Sequence, residues 1–160
     1  MRAAADGTLA ALNAAAHPPV ASLFWESVAT ADAHALAGLL PSDGARCFCV
    51  PGAELGEWLL CALPRLGLTV REYTEMATFW AVKLGEHAHV VLRFLSRAEM
   101  EEFVSSLIVQ PRAQTVIRVF LIARGVITPP PACAGALLPD ASLTPGRAGF
   151  TAVEWGGMEL

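Results

Sequence analysis

The chain lacks any apolar run long enough to form a transmembrane helix. About 18 consecutive apolar residues are needed, and the best stretch, Val116 to Ile127, is broken by Arg118 and Arg124. Charged residues are also scarce: they make up 16% of the 160 residues, whereas 54% are hydrophobic. Disordered chains have the opposite balance, so we expect one folded domain with a substantial core and no membrane association.

Sequence motifs of common active sites are missing as well. We find no phosphate-binding glycine loop, no nucleophile elbow and no HExxH zinc motif. The residues therefore predict a non-catalytic protein that needs no cofactor. The N-terminus offers only a weak alanine-rich segment with an early Asp6, which is unlike a signal peptide. The four cysteines then indicate reduced thiols in an intracellular protein, either cytoplasmic or nuclear.

Charge and hydropathy bear on possible partners. The net charge of −4 argues mildly against nucleic acid. The mean hydropathy of +0.48 indicates more apolar surface than one core needs. This surplus predicts a protein partner or a homo-oligomer, and RNA stays possible.

Hydrophobic periodicity predicts an α+β domain over residues 45–127. Short apolar or alternating runs indicate strands, and spacings of three and four residues indicate helices. Ser96 and Glu99 form a capping box at the start of the second helix. The predicted elements, in chain order, are strand Ala45–Val50, helix Leu55–Leu66, strand Thr69–Leu84, strand His87–Leu95, helix Ser96–Ile108 and strand Thr115–Arg124.

This order, β-α-β-β-α-β, is that of a ferredoxin-like sandwich with four antiparallel strands. Right-handed crossovers place both helices on one face and leave the other face open unless the flanking segments cover it. Around this unit, residues 1–44 are predicted to be a helical extension, with helices at Val20–Val28 and near Asp32–Leu40. Residues 128–160 are a Pro/Gly-rich tail, in which Phe150–Trp155 either forms an edge strand or docks on the core.

Residues 46–124 resemble an RNA recognition motif in the order and spacing of their elements. Cys47-Phe48-Cys49-Val50 stands at the family's first-strand motif, and His87–Phe94 stands at its third-strand motif. The resemblance implies binding of single-stranded RNA, or of protein in a variant of the fold, through the open sheet face. The residues expected on that face are Arg46, Phe48, His87, His89, Val91 and Arg93, extended by Arg118 and Phe120 on the last strand.

Cys47-x-Cys49 and His87-x-His89 have the composition of a zinc site but are not predicted to form one. If Phe48 points to the open face, strand alternation turns both cysteines toward the helices and away from the histidines. No metal is therefore expected.

Residues Ala21–Leu63 also resemble, more distantly, the nuclear transport factor 2 and ketosteroid isomerase superfamily. The likeness rests on Trp25, the segment after Asp32 and the strand ending at Pro51-Gly52. It implies an alternative function, a small-molecule-binding or isomerase/cyclase-like enzyme of the cone-shaped fold. Its pocket would be ringed by Tyr73, Glu75 and His89.

Overall fold

The computed structural model describes residues 2–13, 17–26, 33–40, 47–131, 133, 137–141 and 144–160. This part contains helices, a four-stranded mixed sheet and a small two-stranded sheet of β1 and β2, so the predicted α+β class is confirmed. No described helix has the length and apolarity to cross a membrane. The elements are β1 (Arg2–Ala3), β2 (Leu9–Ala10), α1 (Ala33–Ala37), β3 (Cys47–Pro51), α2 (Leu55–Ala62), α3 (Val70–Leu84), β4 (His89–Phe94), α4 (Arg97–Phe103), β5 (Thr115–Val126) and β6 (Thr151–Glu159).

The main sheet has the strand order β3-β4-β5-β6. β3 and β5 each pair antiparallel with β4, whereas β6 pairs parallel with β5 along its whole length. Between these parallel strands the chain passes the end of α2, where Trp58 Nε1 donates to the Leu137 carbonyl (3.2 Å) and Arg65 Nε to the Pro139 carbonyl (2.7 Å). The segment Phe150–Trp155 was predicted either to form an edge strand or to dock on the core. From Thr151 onward it forms the first half of β6, which lies at the edge of the sheet.

Helix α3, with Thr69 as its N-cap, occupies the segment Thr69–Leu84 that was predicted to be a strand, so that prediction is wrong. The backbone N–H of Thr69 donates to Glu72 Oε2 (2.7 Å) within a complete capping box, which satisfies free donors at the helix start. Met76, Ala77, Trp80 and Leu84 then form the buried stripe. Helix capping and helical burial outweigh the β propensity of the threonines and aromatics.

The order of elements around the main sheet is therefore strand, helix, helix, strand, helix, strand, strand. The hairpin expected between Thr69–Leu84 and His87–Leu95 does not form, because the first of these segments is helical. Helices α2 and α3 together cover one sheet face. Phe48, Trp58 and Phe94 pack as an aromatic cluster in this core, with ring centroids 5.1 to 6.3 Å apart.

The other sheet face is covered by α1, α4 and Cys133. Helix α4 begins at the predicted capping box: Ser96 Oγ accepts from the Glu99 N–H, and Glu99 Oε2 accepts from the Ser96 N–H (2.7 Å). The helix ends at Phe103, earlier than the predicted Ile108. The chain diverges there because the Ser105 carbonyl and hydroxyl both accept hydrogen bonds from Arg118.

The N-terminal segment contradicts one predicted helix and confirms another in part. Residues 20–26 contain no helix, although Val20, Leu23 and Phe24 have helical spacing. Val20 instead forms an antiparallel bridge to Leu9. The remainder of that predicted helix, residues 27 and 28, lies outside the described part, as does the turn at 41–44. The second predicted helix is present as α1, and it is shorter than expected.

Candidate functional site

The eight residues predicted for an open sheet face do not share one exposed surface. Arg46 lies outside the described residues. Phe48 and Phe120 are buried, with 4% and 8% of their surface exposed, and they belong to cores on opposite sides of the sheet. Val91 is fully buried. Both faces of the sheet carry helices at these positions, so the prediction of an open face at Phe48, Val91 and Phe120 is wrong.

The strand register also corrects the predicted faces. Phe48 is paired with Leu92, so it lies on the side of α2 and α3. Cys49 is paired with Val91 and Cys47 with Arg93, which puts both cysteines on the opposite side. Pro51 is paired with His89. The cysteines therefore share a face with His89, contrary to the prediction. Even so, within the described ranges no group of three His, Cys, Asp or Glu side chains is arranged to hold a metal ion.

The two arginines predicted to bind a partner make internal contacts. Arg93 is 5% exposed, forms an ion pair with Glu99 and donates from Nη1 to the Leu39 carbonyl (3.2 Å). Arg118 forms an ion pair with Glu154, and its side chain is 3% exposed. Because both guanidinium groups are engaged within the fold, they are poorly placed to bind a phosphate backbone.

The predicted histidines lie at one end of β4. His87 is exposed in the turn before the strand, and its Nε2 lies 3.6 Å from Glu159 Oε1 on β6. His89 is half-buried on the face that carries the cysteines, and its Nδ1 has no hydrogen-bond partner in the described part. For the enzyme alternative, Tyr73 packs against the α2/α3 core and Glu75 is exposed on α3. Tyr73, Glu75 and His89 thus do not converge on a pocket.

The buried cysteines form a thiol cluster on the α4 side of the sheet. The Cys133 thiol donates to the Cys47 sulfur at 3.1 Å. Burial raises the pKa of the Cys47 thiol to about 12, and the hydrogen bond from Cys133 adds to the shift. Burial also raises the pKa of the Cys49 thiol. These thiols stay protonated and weakly nucleophilic at neutral pH, which suits an apolar packing role.

The outer edge of β6 offers free backbone hydrogen-bonding groups. The Thr115 N–H donates to the Phe150 carbonyl, and the Leu160 N–H donates to the Ala123 carbonyl (2.8 Å). In a parallel ladder, alternate residues turn both groups toward the same neighbour. The even-numbered residues of β6 therefore face β5, and the odd-numbered ones face outward. No described segment pairs with this outward side.

An apolar shelf lies beside this edge at the C-terminal end of α3. Gly157 lets the Trp80 ring lie directly on β6, because a Cβ at that position would overlap the ring. Phe79 packs edge-on against Trp80 with ring centroids 5.2 Å apart, and 52% of its surface is exposed. Val153 and Trp155 of β6 are partly buried against the same core. We name the outward groups of β6 together with Phe79 the β6 edge.

The β6 edge has little of the protection that edge strands usually carry. Strands at sheet edges are commonly blocked by lysine, proline or a bulge, and Thr151–Glu159 contains neither lysine nor proline. Its two carboxylates are already engaged: Glu154 by Arg118, and Glu159 by Lys83 at 3.7 Å. The opposite edge strand, β3, is shorter and ends in Pro51. The β6 edge is therefore the better candidate for binding.

The sequence contained part of the signal for this site. Thr151–Glu159 was recognisable as strand-like through residue 155, but a parallel partner far back in the chain leaves no local pattern. Phe79 and Trp80 were assigned to a strand, so their position beside β6 was not foreseen.

Comparison of the chain with protein-family models, with curated proteins and with solved structures gives no match.

Proposed function

We propose that this domain is a non-catalytic protein-binding module that accepts an extended segment of its partner as an added strand along the β6 edge. The observation that carries the proposal is a nine-residue edge strand with outward N–H and C=O groups, no lysine or proline, and an exposed Phe79 alongside. In strand addition, main-chain hydrogen bonds supply affinity and neighbouring apolar surface supplies selectivity.

The burial and ion pairing of the predicted contact residues favour a protein partner over single-stranded RNA. RNA binding of the kind implied by the sequence uses exposed aromatic rings and free cationic groups. Phe48 and Phe120 are buried, and Arg93 and Arg118 are paired with carboxylates. An added strand, by contrast, needs only the backbone of β6 and an apolar shelf.

The test compares two substitutions at Val153, whose N–H faces outward. Val153→Pro removes that donor without touching the hydrogen bonds to β5, since proline is tolerated at an unpaired edge. Val153→Ala also removes the branched valine side chain but keeps the backbone N–H, so it is the matched control. Circular dichroism and thermal melting establish that both variants are folded.

Extended peptides are then selected from a random library on the wild-type protein. We expect the selected peptides to bind the wild type and Val153→Ala similarly, and Val153→Pro at least tenfold more weakly. Equal binding to all three, or no peptide above background on wild-type protein that is monomeric at the concentration used, would overturn the proposal. A labelled pool of single-stranded RNA is titrated in parallel at low and high salt, and salt-sensitive binding there would favour the RNA alternative.

A further inference from the structure

We infer that the strand completing the β6 edge is β6 of a second copy of this chain, so that two sheets join into one across a two-fold axis. This inference rests on the proposed function and names its partner. Two-fold interfaces use the same surface on both copies, so that surface must be complementary to itself. The strand β6 satisfies this condition.

The strand is self-complementary when β6 pairs antiparallel with its copy about Trp155. This register overlaps all nine residues and places Thr151 opposite Glu159 of the second copy, and Val153 opposite Gly157. Glu154 then faces Gly156, so no two carboxylates lie opposite each other. Pairing about Glu154 would instead set two like charges face to face, which destabilises an antiparallel pair.

The outward groups match this register. The odd-numbered residues of both copies face each other, and in an antiparallel ladder such residues exchange both of their backbone hydrogen bonds. Trp155 lies opposite Trp155 of the second copy on the α3 side of the sheet, where cross-strand aromatic pairs are favourable. The free donors and acceptors of the edge thus obtain partners without any change in the fold.

Helix α3 lines the same edge with exposed side chains. Glu75, Phe79 and Lys83 recur at four-residue intervals and form one strip on the helix surface. All three are exposed, and Lys83 lies 3.7 Å from Glu159 of β6, which places the strip beside the β6 edge. Trp80 lies on Gly157, so Phe79 lies nearer to Glu159 than to Trp155 and adds apolar surface beside the strand of the second copy.

The first experiment measures molecular mass in solution by sedimentation equilibrium over about 1 to 100 µM protein. We expect the wild type to approach twice 16.9 kDa, Val153→Ala to follow it, and Val153→Pro to stay monomeric. Amide exchange measured by NMR gives an independent readout: protection of the Val153, Trp155 and Gly157 amides should increase with protein concentration. A dimer that persists in Val153→Pro, or wild-type amides without such protection, would overturn the inference.

The outcomes separate the two proposals. A wild-type chain that stays monomeric across the whole range, yet still selects peptides that fail on Val153→Pro, refutes the second copy and leaves strand addition intact. Failure of the peptide selection together with a dimer that survives Val153→Pro refutes both.

Discussion

Breaking the ion pair between Arg118 and Glu154 should cost more stability than breaking an exposed ion pair among the described residues. The Arg118–Glu154 pair joins β5 to β6 with 3% and 10% of the two side chains exposed. Arg118 also donates from Nη1 to the Ser105 carbonyl (3.0 Å) and from Nη2 to the Ser105 hydroxyl (2.9 Å). Glu154→Gln keeps the shape of the side chain but leaves the guanidinium buried without its counter-charge.

Removing one partner of a buried pair costs about 3–5 kcal/mol, because the remaining charge is uncompensated. For a domain of this length, each kcal/mol corresponds to a shift of about 2–4 °C in Tm. We therefore expect Glu154→Gln to lower the Tm by about 6–20 °C, and to lower the free energy of unfolding measured in urea at one fixed protein concentration.

The exposed pair between Arg97 and Glu101 is the matched control. It has the same residue types at helix positions i and i+4, but 72% and 50% of its side chains are exposed. Glu101→Gln should cost about 0.5 kcal/mol or less. If Glu154→Gln also costs less than about 1 kcal/mol, the pair behaves like a surface pair and our account of the β5/β6 junction is incorrect.

Three further predictions concern β6 and the thiols. Gly157→Ala should lower the free energy of unfolding by about 1–3 kcal/mol, because the new Cβ overlaps the Trp80 ring. Gly156→Ala should be tolerated, because its Cβ would lie 3.5 Å from the nearest neighbouring atom. Equal midpoints of urea unfolding for the two variants would contradict this prediction. Exposed Cys61 should react with a thiol reagent at pH 8 long before buried Cys47 does, and comparable rates would refute the assigned burial. Since the pKa of the Cys47 thiol is about 12 in the folded chain against 9.0 for an ordinary thiol, its stabilising contribution should be intact below pH 9 and be lost as the pH rises from about 9 toward 12.

The sequence predicts those elements whose signals are local. The capping box at Ser96 and Glu99 fixes the start of α4, and the apolar strands at Cys47–Pro51 and Thr115–Val126 are where they were expected. The end of α4 was not predictable, because it depends on Arg118, which is distant in sequence and binds Ser105.

The prediction for α3 was wrong because residue propensity was weighted above periodicity. Tyr73, Met76, Trp80 and Leu84 are spaced by three and four residues, and Thr69 with Glu72 repeats the capping pattern recognised before α4. Strand propensity describes how a side chain fits a pleated, half-buried surface. Strand propensity is therefore a weak guide where a capping box and an apolar stripe with helical spacing are also present.

The predicted open face was wrong for a related reason. Strands with one solvated face alternate polar and apolar residues, whereas strands covered on both sides are continuously apolar. Cys47–Val50 contains four apolar residues in succession, and all four are buried. That run was evidence for helices on both sides of the sheet, and hence for a binding surface at an edge rather than on a face.

The parallel pairing of β6 with β5 has a consequence for folding. Residues 127–150 separate the two strands, so their pairing must close a long stretch of chain, and such non-local contacts form slowly. Until β6 docks, β5 exposes one complete edge, which is the kind of surface that favours aggregation. Refolding at high protein concentration should therefore lose more chain to aggregation than refolding in dilute solution.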